Sequence, residues 1–254
     1  VDALPPIPQD TTDRNRTSPM AFTGNKFEFR MPGSSLSVSG PNIALNTIMA
    51  EELEQFADEL EKAEDFQSAL HQLVKRTLTE HQRIIFNGNG YDDTWLQEAE
   101  RRGLSNLKST ADALPAYIAP KNIQLFVKHG IYTEAEVRAR YEIHVENYST
   151  VISIEAKTMI DMIRHDIIPA VSKYAAELAR RAAAKADAGL PYQYEAVTAR
   201  EAAELTDKLM EQCRALTSDL EGMPAGPEEA MRYCHDALIP DMDAARASVD
   251  ALEV

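Results

Sequence analysis

Apolar residues recur at helical spacing through most of the chain beyond Pro41, and this periodicity constrains the fold more than any other feature. One apolar helix face runs through residues 43–60. A second runs through about residues 65–86 and is expected to bury Phe66, Leu73 and Leu78, among others. Shorter helices are predicted around Trp95 and near residues 110–118 and 121–129. The pattern therefore predicts a mainly α fold.

A long amphipathic segment begins near Thr133 and continues to the break at Gly189. Pro169 lies inside it and should kink the helix, because proline lacks an N–H donor and clashes with the preceding turn. Additional apolar residues widen the apolar band of this segment: Ile143, Val151, Ile154 and Ile160. The width of the band predicts a helix central to a bundle.

Two regular helices follow, with apolar stripes at alternating spacings of three and four. The first stripe includes Leu209 and the second includes Leu238, and PAGP (224–227) separates the helices. An antiparallel hairpin is predicted, with its stripes packed together or against a neighbouring chain. Cys213 and Cys234 lie on these stripes, which favours core thiols over a disulfide.

The net charge of -15 is unevenly distributed, because the first 40 residues hold four of the 41 acidic and four of the 26 basic side chains. Residues 41–254 therefore carry the whole excess of acidic side chains, which argues against nucleic acid or an anionic membrane as a partner. No apolar run is long enough to span a bilayer, so a soluble, cytoplasmic protein is expected. The Pro-rich start at Val1 is typical of a piece of a longer protein.

Three groups of residues leave alternatives open. Asp161 and His165, one helical turn apart, could share a metal or form a surface hydrogen bond. FNGNGY (86–91) could bind an anion or form a tight turn. The acidic run at 51–65 could bind cations, but its helical spacing favours a solvated helix face.

GNKFEFR (24–30) predicts a short strand around residues 26–31 whose two faces differ. With a period of two, Lys26, Glu28 and Arg30 share one face. Arg14 and Arg16 precede this strand by a short loop. Two interpretations remain: a surface strand, or a site in which Glu28 binds a hard divalent cation while the basic groups neutralise phosphate or carboxylate.

Two segments resemble a known family. DRNRTSPMAFTGNKFEFRMPGSS, with the following GPNIALNTIMAEELE, is similar to the end of the catalytic domain of type III glutamine synthetase. FNGNGYDDTWLQEAERRGL resembles the helical C-terminal region of that type. The resemblance implies that residues 1–63 are the end of the catalytic domain and contain one short strand of its barrel. Residues 64–254 would then form an antiparallel helical bundle.

The resemblance also implies a role for each residue that matches the family motif. Glu28 would bind Mg²⁺ or Mn²⁺, and Arg30 would contact the substrate glutamate. Arg16 would face the phosphates of ATP and of the γ-glutamyl phosphate intermediate, and Lys26 would lie near the nucleotide phosphates. The expected partners are glutamate, ammonia, ATP and identical subunits in a dodecamer.

Two departures from the family pattern matter. Ala21 stands where other members place a second arginine, so that phosphate contact must be absent or supplied differently. The upstream metal-ligand strands are not in this sequence, so the chain alone is expected to be inactive. Two other interpretations remain: residues 64–254 as an assembly module without a substrate, or an independent helical binding protein with a disordered tail.

Overall fold

The computed structural model describes residues 36–85 and 93–253 in full, and residues 20–22 and 27–29 as backbone. These described residues are mainly helical, as predicted. They form α1 (Ser39–Leu60), α2 (Phe66–Glu80), α3 (Asp93–Arg101), α4 (Thr110–Tyr117), α5 (Pro120–Lys128), α6 (Glu134–Met162), α7 (Ile168–Asp187), α8 (Gln193–Glu221), α9 (Pro227–Tyr233) and α10 (Ile239–Leu252). None of these helices combines the length and apolarity that crossing a membrane requires.

A two-stranded antiparallel hairpin precedes the helices. It consists of β1 (Met20–Phe22) and β2 (Phe27–Phe29), and Glu28 pairs with Ala21 across it. β2 lies within the segment for which a strand was predicted. Its membership of a catalytic barrel stays a prediction.

Contacts divide the chain into two units. The first contains the described residues up to Lys108 together with Pro120–Glu134, and the second contains Ser109–Ala119 and the residues from Ala135 onwards. The predicted domain boundary between residues 63 and 64 falls inside the first unit and stays a prediction.

The first unit buries few apolar side chains. Asp65 starts α2 by accepting hydrogen bonds from the N–H groups of Gln67 and Ser68. Of the apolar residues on α2, Leu73 is buried, whereas Phe66 and Leu78 are about half exposed. The apolar face of α2 was expected to be buried, and that expectation was wrong for these residues because no described element covers them.

The second unit has a continuous apolar core in which α8 packs against α7 and α10. The predicted stripes of the last two helices supply much of it. The fully buried members of this cluster are Ala156, Ile163, Leu209, Cys213, Leu216, Cys234, Leu238 and Ala245. The arrangement of all the helices as one antiparallel bundle stays a prediction.

Two π-helical turns interrupt the helices of the second unit, at Ile163–Ile167 and Cys234–Leu238. Each lies directly before an Ile-Pro pair, the first of which contains the predicted kink residue Pro169. In both turns the isoleucine N–H bonds to the carbonyl five residues earlier. The wider turn accommodates the proline, whose ring would clash with a regular preceding turn.

The widened apolar band of α6 is buried on one side and exposed on the other. Ile160 is buried, as a central helix would require, but Ile143, Val151 and Ile154 are exposed. The band is therefore only partly covered by the described residues.

Candidate functional site

The four residues assigned to the predicted site lie at the start of the chain. Glu28 is the central residue of β2, where only its backbone is described. Arg16, Lys26 and Arg30 lie outside the described residues. The grouping of these side chains around a metal and a phosphate therefore stays a prediction.

A second group of ionisable side chains lies in the first unit, where α1 meets the end of α5. Glu51 and Glu54 are three residues apart on α1 and so lie on one helix face. Lys128 Nζ donates to Glu51 Oε2 at 2.7 Å and lies 2.8 Å from Glu54 Oε2. His129 Nε2 lies 2.7 Å from Glu51 Oε2. We call these four residues the α1–α5 cluster.

Glu51 is the centre of this cluster electrostatically. The hydrogen bond from Lys128, followed by those from Gln55 and His129, lowers the pKa of Glu51 to about 2. The Glu51 and Glu54 carboxylates in turn raise the pKa of Lys128. Because an ionised carboxylate only accepts hydrogen bonds, Nε2 of His129 must carry the proton that it donates to Glu51.

The α1–α5 cluster also has the donor types of a cation site. One ligand atom each from Glu51, Glu54 and His129 lies within 4.8 Å of the others, the only such group among the described residues. The Lys128 ammonium already contacts both carboxylates, however, and neutralises charge where a metal would lie. The geometry is that of an internally satisfied ion-pair cluster.

Sequence reasoning missed this cluster. It interpreted the acidic run at 51–65 as a solvated helix face and gave His129 no role. The spacing of Glu51 and Glu54 shows in the sequence that they share a face, but their partners lie more than 70 positions away. Only the packing of α5 against α1 brings the two segments together.

Comparison with known proteins identifies the family. Residues 69–186 match the family model described as the glutamine synthetase C-terminal domain. A type-3 glutamine synthetase of Dictyostelium discoideum is 46% identical over 173 residues, which cover 67% of this chain and 24% of that protein. The chain belongs to the glutamine synthetase family. The resemblance to the C-terminal portion of the type III enzyme is thereby confirmed.

Two further glutamine synthetases show how far the similarity extends. The one from Butyrivibrio fibrisolvens is 36% identical over 257 residues, covering 96% of this chain and 36% of the relative. The one from Bacteroides fragilis (strain YCH46) is 36% identical over 178 residues, covering 68% of this chain and 24% of the relative. The chain thus spans roughly a quarter to a third of the length of these glutamine synthetases.

The other candidate groups predicted from the sequence have different outcomes. His165 Nδ1 lies 2.7 Å from Asp161 Oδ1, and both side chains are 71% exposed, which confirms the surface hydrogen bond. Cys213 and Cys234 are buried free thiols, as predicted, and burial raises the pKa of Cys234. FNGNGY (86–91) lies outside the described residues, so the choice between an anion site and a tight turn stays open.

An apolar groove crosses the second unit between α6, α7 and α10. Its lining includes Met159, Met162, Ile163, Met242 and Val249. Carboxylates such as Glu155 and Asp250 lie at its edge, and Arg246 bonds to Asp250. Thr158, Asp166 and Glu253 also line the groove, whose surface is mostly apolar.

Proposed function

We propose that this chain is the C-terminal part of an ATP-dependent glutamate–ammonia ligase. The observation that carries the proposal is the alignment with the Butyrivibrio fibrisolvens glutamine synthetase, which covers nearly the whole chain. Residues 1–63 would end the catalytic domain and residues 64–254 would form the helical C-terminal domain. The family match beginning at residue 69 supports that division.

The donor chemistry at β2 fits a hard divalent cation. Glu28 offers carboxylate oxygens, which Mg²⁺ and Mn²⁺ prefer. Lys26 and Arg30 flank it at positions that share its face of an extended strand, and such cations keep a carboxylate ionised. One carboxylate is too few ligands for the ion, so the chain by itself is expected to be inactive.

In the proposed reaction, ATP phosphorylates the γ-carboxylate of glutamate, and ammonia then displaces phosphate to give glutamine. The metal, when bound, neutralises the phosphate oxygens during transfer. Arg30 would orient the glutamate carboxylate through its fixed pair of donors. Arg16 would stabilise the negative charge of the transferring phosphoryl group, and Lys26 would hold the nucleotide phosphates.

The test is Glu28→Ala in the full-length ligase. We expect turnover to fall by a factor of about 10² or more, because a metal ligand acts directly on the transferring group. Glu61→Ala, at the residue directly after α1, is the matched control and should leave turnover unchanged. Normal activity and metal affinity in Glu28→Ala would show that the site assignment is wrong.

A second function, assembly, is favoured by the apolar side chains that the described residues leave uncovered. On α6 these are Ile143, Val151, Ile154 and Met162, each at least 40% exposed. We propose that the helical region contacts identical subunits, as the dodecamer expected for the family would require. Ile154→Asp should lower the assembly state measured by analytical ultracentrifugation, whereas Lys157→Asp on the same helix should not.

A further inference from the structure

The helix α1 is the element that follows the strand of the proposed metal ligand. Nine residues separate Phe29, the end of β2, from Ser39, the start of α1. The position of α1 therefore limits where β2 can lie, because a connection of this length reaches about 35 Å at most. What fixes α1 in place bears directly on the position of Glu28.

Apolar burial holds α1 only weakly among the described residues. Thr47 is its one buried residue, while Met49 and Leu53 are half exposed or more. Two groups of ion pairs also join it to other helices. Arg76 of α2 forms two hydrogen bonds to Glu59, at 2.6 and 3.1 Å, and the α1–α5 cluster forms the other contact.

The α1–α5 cluster is the more sheltered of these two contacts. The side chains of Glu51 and His129 are 20% and 17% exposed, whereas those of Arg76 and Glu59 are 49% and 40% exposed. Exposed ion pairs contribute little because water and salt screen them. The cluster also concentrates three donors on one carboxylate, which fixes the geometry more closely than a single pair.

The other side of the cluster is firmly anchored. Ile123 and Phe126 of α5 are buried, 7% and 6% exposed. After His129, Gly130 adopts a φ of +63°, and Ile131 N–H bonds back to Phe126 O. This C-terminal cap of α5 fixes the backbone at Lys128 and His129.

We propose that Glu51, Lys128 and His129 are positioning residues for the ligase reaction, because they fix α1, and through it the preceding strand β2, to α5 of the C-terminal region. The inference rests on the proposed function. A catalytic group displaced by about 1 Å loses on the order of 10²-fold in rate, so a contact remote from the reacting atoms can control turnover. The C-terminal region would then support catalysis without touching substrate.

The experiment compares Lys128→Met and Glu51→Gln in the full-length ligase with two controls, Lys121→Met and Glu52→Gln. The controls lie on the same two helices and have no ion pair among the described residues. We expect kcat to fall about tenfold in the first pair and the Kd for Mn²⁺ to rise several-fold, with KM for ATP nearly unchanged. Lys128→Arg, which keeps the charge, should restore most of both values.

Hydrogen exchange on the 254-residue chain supplies a second readout. Lys128→Met should speed exchange of α1 amides and leave α8 unaffected. Equal kcat and Mn²⁺ affinity in Lys128→Met and Lys121→Met, while Glu28→Ala is inactive, would overturn this inference alone. Full activity of Glu28→Ala would overturn the proposed function and this inference with it.

Discussion

Helix α1 and the seam between α8 and α10 have similar amphipathic sequences but are stabilised differently. In the seam, Leu209 and Leu238 are fully buried, and the apolar stripes of both helices contribute to one core. On α1, Leu53 is 58% exposed, and ion pairs join the helix to α2 and α5. The difference teaches that an apolar stripe predicts a buried face only where the chain itself supplies the covering surface.

Leu209→Asp compared with Leu53→Asp tests this contrast most strongly. A charge in the sealed core at Leu209 should cost about 4 kcal/mol or more, because it leaves a cavity and an unpaired carboxylate. The same substitution at exposed Leu53 should change stability by about 0.5 kcal/mol or less. Urea unfolding of the chain, followed by circular dichroism, measures both, and similar losses would refute the contrast.

Tyr141→Phe probes a polar contact within the buried unit. Tyr141 is 6% exposed, and its hydroxyl donates to Glu228 at 2.8 Å. Burial and the Glu228 carboxylate raise the pKa of Tyr141 to about 12. Loss of the hydroxyl should cost about 1 kcal/mol.

The pH dependence of that contact has a definite sign. Because the folded-state pKa is raised, the stabilising effect of Tyr141 should be complete below the ordinary value of 10.0 and disappear as pH rises towards 12. Tyr194→Phe, at a tyrosine that is 70% exposed, is the control and should have no measurable effect. Identical unfolding midpoints for the two variants at pH 7 would contradict the assignment.

Asp241→Asn should have an effect of similar size and opposite sign. Burial, then hydrogen bonding and repulsion by Asp219, raise the pKa of Asp241, and its Oδ2 is buried without a partner. A raised pKa stabilises the fold at pH below the ordinary value of 3.8, and this contribution is lost as pH rises through the folded-state pKa. Asparagine removes the ionised, like-charged pair.

We therefore expect Asp241→Asn to raise the melting temperature at pH 7 by roughly 3 °C, which corresponds to ~1 kcal/mol for a chain of this size. No gain is expected at pH 3, where the carboxyl is protonated in both states. Differential scanning calorimetry at the two pH values checks this. The exposed residue Asp243 supplies the control variant, Asp243→Asn. An equal rise in its melting temperature would show that the effect comes from net charge and not from the buried site.

The helices were predictable because their signals are local. Periodicity placed the stripes of Leu209 and Leu238 correctly, and Pro169 marked the interruption of the long helix. The π-helical form of that interruption was not predictable, since a proline requires some distortion without specifying which. The exposure of Phe66 and Leu78 was not predicted, because the apolar stripe of a helix does not show whether another element covers it.

The two candidate sites, the Glu28 motif and the α1–α5 cluster, also differ in whether their signal is local in the sequence. The Glu28 motif is contiguous in sequence and could be found by resemblance, whereas the α1–α5 cluster joins Glu51 to His129 across 78 positions. Long-range contacts of this kind depend on the packing of whole elements. The resemblance therefore supplied candidate residues for metal and phosphate chemistry, whereas the α1–α5 contact was found only in the structure.

Binding of Mn²⁺ to the full-length ligase tests the assignment of Glu28 most directly. Titration followed by electron paramagnetic resonance would compare the unmodified ligase with Glu28→Gln, which preserves the size of the side chain and removes its charge. We predict that Glu28→Gln loses one tightly bound Mn²⁺ per subunit. The same number of ions bound with the same affinity in both proteins would contradict the metal-ligand role of Glu28.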